Sequence, residues 1–226
     1  MISVLTLTYK RHHLLEEAIE SFLRQADINF PVEMVVINDN PNVDYLLNKP
    51  NVRIINHKKR FSSIGKKLEF GYRQCSYDYI YRLDDDDLLT PWALKNVYDD
   101  ITENPGFDVY RSKGFYLYDS NVYIGESGSV NNGNVYTRKY LDSIEFPDKS
   151  TGEDSDITFG NSSRVYESNR KHTMIYRWGM GTLHVSGMGE QPNEVVLHQA
   201  DKVLDSTQGE IPLQPKFTED HYKSLP

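Results

Sequence analysis

The chain has 226 residues, 38% hydrophobic and 26% charged, enough to bury a sizeable core in one large domain or one domain with an appendage. Its net charge of −8, from 33 acidic and 25 basic residues, argues against general nucleic-acid binding. Cys75 is the only cysteine, which excludes a disulfide framework and a thiolate metal cluster.

The start, "MISVLTLTYKRHH", has no charged n-region and no long apolar h-region. No run approaches the ~18 apolar residues of a membrane span. The expectation is a cytoplasmic chain. "ISVLTLT" (Ile2 to Thr8) is a short β-branched run and reads as a buried strand. From His12 to Gln25, Leu14, Leu15, Ala18, Ile19, Phe22 and Leu23 recur at helical spacing, with Glu16, Glu17 and Glu20 facing away. "VEMVVIND" (Val32 to Asp39) and "NVRIIN" (Asn51 to Asn56) read as further strands. Ser62 to Cys75 reads as a helix with Ser62 or Ser63 at its N-cap. "YDYIYRL" (Tyr77 to Leu83) is the next strand, followed at once by Asp84 to Asp87. Thr90 to Ile101 reads as a helix with Thr90 at N-cap and Pro91 at N1.

Strands alternating with helices imply βαβ units and a mostly parallel sheet. Ligands of open α/β sheets sit outside the carboxyl ends of the strands. Three polar clusters fall at those ends: Thr8, Tyr9 and Arg11; Asn38 and Asp39; and Asp84 to Asp87. After about residue 106 the composition changes. "FDVYRSKGFYLYDSNVYIG" suggests antiparallel strands, and Gly152 to Val165 begins as a short acidic helix. "HTMIYRWGMGTLHVSGMG" reads as a strand and then a glycine-rich loop. The tail after about Leu204 has little periodicity and is either partly disordered or wrapped around the body.

Four adjacent carboxylates repel one another. A helix N-terminus accounts for one, Asp87, through the dipole, but not for four. A divalent cation accounts for the rest, since Mg²⁺ and Mn²⁺ take carboxylate oxygens together with substrate phosphates. "IGKK" at Ile64 to Lys67 lacks the upstream glycine of a P-loop, no G-x-G-x-x-G follows the first strand, and no H-E-x-x-H occurs.

"LTLTYKRHHLLEEAIESFLRQ", "MVVINDNP", "YDYIYRLDDDDLLTPWAL" and "GEDSDI", in that order, resemble family 2 glycosyltransferases of the GT-A fold. The resemblance covers residues 1–105 well, and residues 106–190 only through the Glu-Asp pair and the loop around His184. It implies a single Rossmann-like, mostly parallel sheet flanked by helices, with a smaller mixed or antiparallel sheet on the acceptor side. Residues 1–105 would form the nucleotide-sugar half, 106–204 the acceptor and catalytic-base half, and 205–226 a C-terminal tail.

The implied activity is metal-dependent, inverting transfer of a sugar from a nucleotide-diphospho-sugar, usually a UDP-sugar, to an acceptor hydroxyl. Thr8 and Tyr9 match the strand end that holds the base, and Arg11 the family's basic residue. Asp39 matches the aspartate that accepts from the base ring, while Asn38 departs from the pattern. Asp84 and Asp86 form the D-x-D, with Asp85 leaving the register ambiguous by one residue. Asp86 is taken as the ligand of Mn²⁺ or Mg²⁺, and Asp84 or Asp85 as the ribose contact. Asp154 matches the catalytic base, with Glu153 and Asp156 as competitors. Lys66 or Lys67 either reaches the diphosphate or is solvated, and His184 is either a metal ligand or structural. The acceptor stays open among a glycan, a lipid-linked saccharide, a protein and a modified nucleobase. A sugar nucleotidyltransferase or pyrophosphorylase, or a non-catalytic binding module on the same fold, are the competing readings.

Overall fold

The computed structural model describes residues 1–128, 131–179 and 191–226. The first half alternates as the sequence implies: β1 (Ile2–Thr8), α1 (His12–Leu23), β2 (Val32–Asn38), β3 (Val43–Leu46), β4 (Val52–Asn56), α2 (Ile64–Gln74), β5 (Tyr79–Asp84), β6 (Leu88–Leu89) and α3 (Ala93–Glu103). The second half holds β7 (Val109–Ser112), β8 (Gly114–Asp119), β9 (Val122–Gly128), β10 (Val135–Thr137), α4 (Arg138–Leu141), α5 (Glu153–Phe159), β11 (Val165–Ser168), β12 (Met174–Trp178), α6 (Asn193–Val203) and β13 (Gly209–Pro212).

Seven strands make the central sheet in the order β11-β7-β10-β5-β1-β2-β4. All run the same way except β10, which pairs antiparallel with both β5 and β7. Alternate residues of a strand point to opposite faces. Val4 and Met34 therefore pack with Leu15, Ile19, Leu94 and Val97 of α1 and α3. Leu5 and Val35 pack on the other face with Leu68 and Tyr72 of α2 and Ile157 of α5. Both faces being covered explains the near-continuous apolar strands.

A second, mixed sheet has the order β6-β12-β8-β9. Its Tyr116, Tyr118 and Ile175 pack with Trp92 and with Phe217, Tyr222 and Leu225 of the tail. The tail thus wraps the body: β13 runs parallel to β3, and the Tyr222 hydroxyl donates to the Leu89 carbonyl at 2.8 Å.

Two local expectations need correction. Thr90 does not cap α3. The helix begins after Trp92 without a side-chain cap, and the Thr90 hydroxyl donates instead to the His172 carbonyl. Glu17 does not face solvent with its neighbours but is buried at 2% exposure. Ser63 does cap α2, accepting from the Lys66 amide at 3.1 Å.

Candidate functional site

The carboxyl ends of β1, β2 and β5 open into a cavity of about 230 Å³. Thr8, Tyr9, Arg11, Asp39, Asp84, Asp86 and Asp154 all line it. The first six come from strand ends and the loops that follow, and the last from α5.

The segment 147–152 delivers α5 to the cavity by docking on the start of α2. The Gly65 amide donates to the Lys149 carbonyl, and the Ile64 amide to the Ser150 hydroxyl. A Cβ on Gly65 would lie 1.9 Å from the Pro147 carbonyl oxygen, so a side chain there would push this segment away. Gly152 then enters α5 with φ of 69°, a left-handed turn that suits glycine.

The four aspartates divide. Asp84, Asp86 and Asp87 each place a carboxylate oxygen within 4.8 Å of the others. Asp85 is fully buried behind them and paired with Arg11, which also reaches Asp86 at 2.6 Å. Asp87 accepts from the Arg177 amide at 2.9 Å and from the Asn132 side chain, so it is a member of this cluster and not a helix cap. Burial pushes the Asp84 carboxyl above its ordinary range, with Arg82 opposing and Asp86 adding to the rise. Burial likewise raises Asp85 to about 7 against the pull of Arg11, and raises Asp87 well above the usual value. Crowded, desolvated carboxylates that hold protons this tightly are relieved by a cation. An all-oxygen donor set of this kind fits Mg²⁺ or Mn²⁺.

Arg82 joins the two halves of the site. From β5 its guanidinium pairs with Asp84 at 3.2 Å, with Glu153 at 3.6 Å and with Asp154. Asp154 Oδ2 takes this contact, while Oδ1 has no hydrogen-bond partner among the described residues. Glu153 is buried, and desolvation with the nearby Asp154 charge raises it to about 8, against Arg82. Asp156 is about half exposed and paired with Lys149 at 2.6 Å, away from the cavity lining.

Lys67, not Lys66, reaches the cavity. Lys67 Nζ donates to Asp39 Oδ1 at 2.6 Å and to the Thr8 carbonyl at 2.7 Å, tying the ends of β1 and β2 to α2. Lys66 turns to Glu69 and the Phe146 carbonyl. The second oxygen of Asp39 accepts from the Phe61 amide at 3.1 Å. His184 lies outside the described residues.

Helix α6, which sequence periodicity did not single out, lies over the cavity with Val196, Leu197 and Ala200 among its lining. Asp201 of this helix binds the Tyr9 hydroxyl, Lys10 at 3.3 Å and Arg60 at 3.5 Å. The Arg60 guanidinium sits 3.2 Å over the Tyr9 ring. The Tyr9 ring therefore has one face covered by a cation.

The family model described as Glycosyl transferase family 2 matches residues 3–152. No curated protein matches the chain. Among solved structures, S. aureus TarS 1-349 in complex with UDP-GlcNAc superposes with a TM-score of 0.64 at 17% identity, over 80% of this chain and 59% of that one. S. aureus TarS 1-349 gives 0.60 at 18% identity, over 78% and 60%. The mannosyltransferase PcManGT from Pyrobaculum calidifontis, in complex with GDP-Man and Mn2+, gives 0.58 at 12% identity, over 77% and 56%. The chain thus spans about 60% of the length of TarS 1-349. At these identities the likeness is one of fold, the GT-A fold. No helix among the described residues is long and apolar enough to cross a membrane.

Proposed function

The chain belongs to glycosyl transferase family 2, and from that premise we propose that it moves a sugar from a UDP-sugar to an acceptor hydroxyl with inversion, aided by a divalent metal. The observation that carries the reading is one cavity lined by Asp84 and Asp86 from the end of β5 and by Asp154 from α5. Structural neighbours in complex with UDP-GlcNAc and with GDP-Man and Mn2+ support a nucleotide-sugar in such a cavity.

Asp84, Asp86 and Asp87 would hold Mn²⁺ or Mg²⁺. When bound, such an ion supplies positive charge against the charge that builds on the leaving diphosphate. Arg60 and Tyr9 offer a cation and an aromatic surface at the end of β1 for the nucleotide. Asp154 is the candidate general base. Its Oδ2 is fixed by Arg82 and its Oδ1 has no hydrogen-bond partner among the described residues, so the carboxylate has one oxygen held and one left to accept a proton. As the acceptor oxygen forms its bond to the anomeric carbon, its proton goes to Asp154 and the bond from that carbon to the diphosphate oxygen breaks. A base opposite the leaving group needs no carboxylate nucleophile, and the anomeric centre inverts. Glu153 is a poorer base near neutral pH because its site holds a proton to about pH 8. Asp156 is spent on Lys149.

Calorimetry of UDP with Mn²⁺ and with EDTA tests the donor site. Binding is expected to depend on the metal. Equal affinity in both would remove the cation from the reading. A panel of nucleotide-sugars scored by thermal shift then names the donor, since a ligand of the native state raises its melting temperature.

A further inference from the structure

Behind the aspartate turn lies a buried ionic chain that the proposed chemistry does not use. Arg177 of β12 is 1% exposed. Its Nε donates to the Asp86 carbonyl at 2.5 Å, and its backbone amide to Asp87 Oδ1 at 2.9 Å. Its Nη1 donates to the carboxylate of Glu17 on α1. Glu17 in turn accepts from the Thr218 amide at 2.8 Å, from the Thr218 hydroxyl at 2.6 Å, and pairs with His221 Nε2 at 3.4 Å. Burial pushes the Glu17 carboxyl up, but His221, Arg177 and Thr218 outweigh it and hold the group well below the usual carboxylate range.

The tail is itself anchored on both sides of this contact. The Tyr118 hydroxyl donates to the His221 carbonyl at 2.6 Å, and the Phe217 and His221 rings meet edge to face at 5.4 Å. The series therefore runs without a gap from the tail, through α1 and β12, to the peptide and side chain of the two aspartates at the mouth of the site.

We propose that Arg177 is a positioning residue for the carboxylates of Asp86 and Asp87, and that the tail segment Phe217 to Tyr222, acting through Glu17, sets the affinity of the site for a divalent cation. The physical need is plain. Three carboxylates within 4.8 Å push one another apart, and a turn under that repulsion opens unless it is tied from behind. Arg177 ties it at two atoms and places a positive charge on the buried side. Groups that orient the ligands of a metal usually govern affinity by ~10- to 100-fold. The inference rests on the cation-assisted donor site proposed above and goes beyond it, because none of Glu17, Thr218 and His221 lines the cavity.

Two full-length variants test it. Glu17→Gln with Arg177→Met removes both buried charges together, which is far milder than stranding one of them. It leaves Thr218 an acceptor and takes away the grip on the Asp86 carbonyl. His221→Phe keeps the ring packing of the tail and removes only the contact to Glu17. Mn²⁺ affinity is measured by calorimetry in the presence of UDP, UDP affinity is measured in EDTA, and melting temperature reports the fold. The double variant is expected to lose ~10- to 100-fold in Mn²⁺ affinity with UDP affinity in EDTA unchanged. His221→Phe is expected to fall in the same direction by less. If the double variant does not fold, His221→Phe decides alone. Folded variants that bind Mn²⁺ as the parent does overturn the positioning role and leave the donor site standing. A parent whose UDP binding ignores Mn²⁺ overturns both.

Discussion

Asp154→Asn separates a catalytic carboxylate from a structural one. The substitution keeps the shape of the side chain, and the amide oxygen can still accept from Arg82. Arg82 also keeps Asp84 at 3.2 Å and Glu153 at 3.6 Å. What is lost structurally is the difference between a charge-assisted hydrogen bond, worth ~1.5–3 kcal/mol, and a neutral one, worth ~0.5–1.5 kcal/mol. That is about 1 kcal/mol, or a fall in melting temperature of ~2–4 °C for a chain of this size. The effect on turnover should be of another order, since an amide cannot take the proton of the acceptor hydroxyl. General-base loss lowers rate by ~10²- to 10⁴-fold. UDP and Mn²⁺ binding should survive, because the residues proposed for them lie in the loops after β1 and β4 and at the end of β5. The assay is steady-state transfer with the donor that the thermal-shift panel selects, set beside melting curves and UDP calorimetry. Asp156→Asn serves as the control, since its carboxylate is half exposed and held by Lys149. A folded Asp154→Asn chain that turns over at the parental rate would refute the assignment and move the base to Glu153, which also lines the cavity.

Four further outcomes are expected. Asp86→Asn should weaken Mn²⁺-dependent UDP binding, whereas Lys95→Ala should not, because Lys95 does not line the cavity and pairs with Asp99 one helical turn away; calorimetry in which both match the parent contradicts the cation site. Lys67→Met strands the buried Asp39 carboxylate and should cost ~3–5 kcal/mol, with much of it recovered by adding Asp39→Asn; an unchanged urea midpoint for Lys67→Met would show the pair to be dispensable. Glu153 titrates near 8 when folded against 4.5 in its ordinary state, so the folded chain binds the extra proton between those values and stability should fall as pH rises through that window. The slope is up to ~1.4 kcal/mol per pH unit, and Glu153→Gln should flatten it in melts run from pH 5 to 8. Asp201→Ala frees Tyr9, Lys10 and Arg60 and should tighten UDP binding by ~2- to 5-fold, the scale of exposed ion pairs; weaker binding would make Asp201 part of the donor's seat.

The first hundred residues were legible because both faces of their sheet are covered. Apolar runs such as Ile2 to Thr8 and amphipathic repeats such as Leu14 to Phe22 announce their partners locally. That residues at strand ends would line one cavity was legible for the same reason, since the strand fixes where its last side chain points. Arg82 was visible as a lone basic residue inside "YIYRLD", but its partners Glu153 and Asp154 lie some seventy positions away and no local pattern joins them. Lys66 and Lys67 differ by one residue and hence by about 100° around α2, which propensity cannot resolve but contact with Asp39 does. Glu17 read as solvated because charged residues usually are, and its burial is set by residues of the tail. Helix α6 buries Val196 and Ala200, and its Asp201 binds three groups of the first half that no local pattern joins to it.

The sequence distance inside the Glu17 cluster has a consequence for how the molecule is made. Thr218 and His221 lie 201 and 204 positions beyond the acid they satisfy. A chain emerging from the ribosome makes α1 early, and the Glu17 carboxylate there waits for Arg177, Thr218 and His221, which follow 160, 201 and 204 positions later. Contacts of such separation are slow to close and complete late. The aspartate turn, tied to the same acid through Arg177, would take its final shape only then. Truncation before Thr218 would leave Glu17 to Arg177 alone and the proposed cation site without its support from the tail.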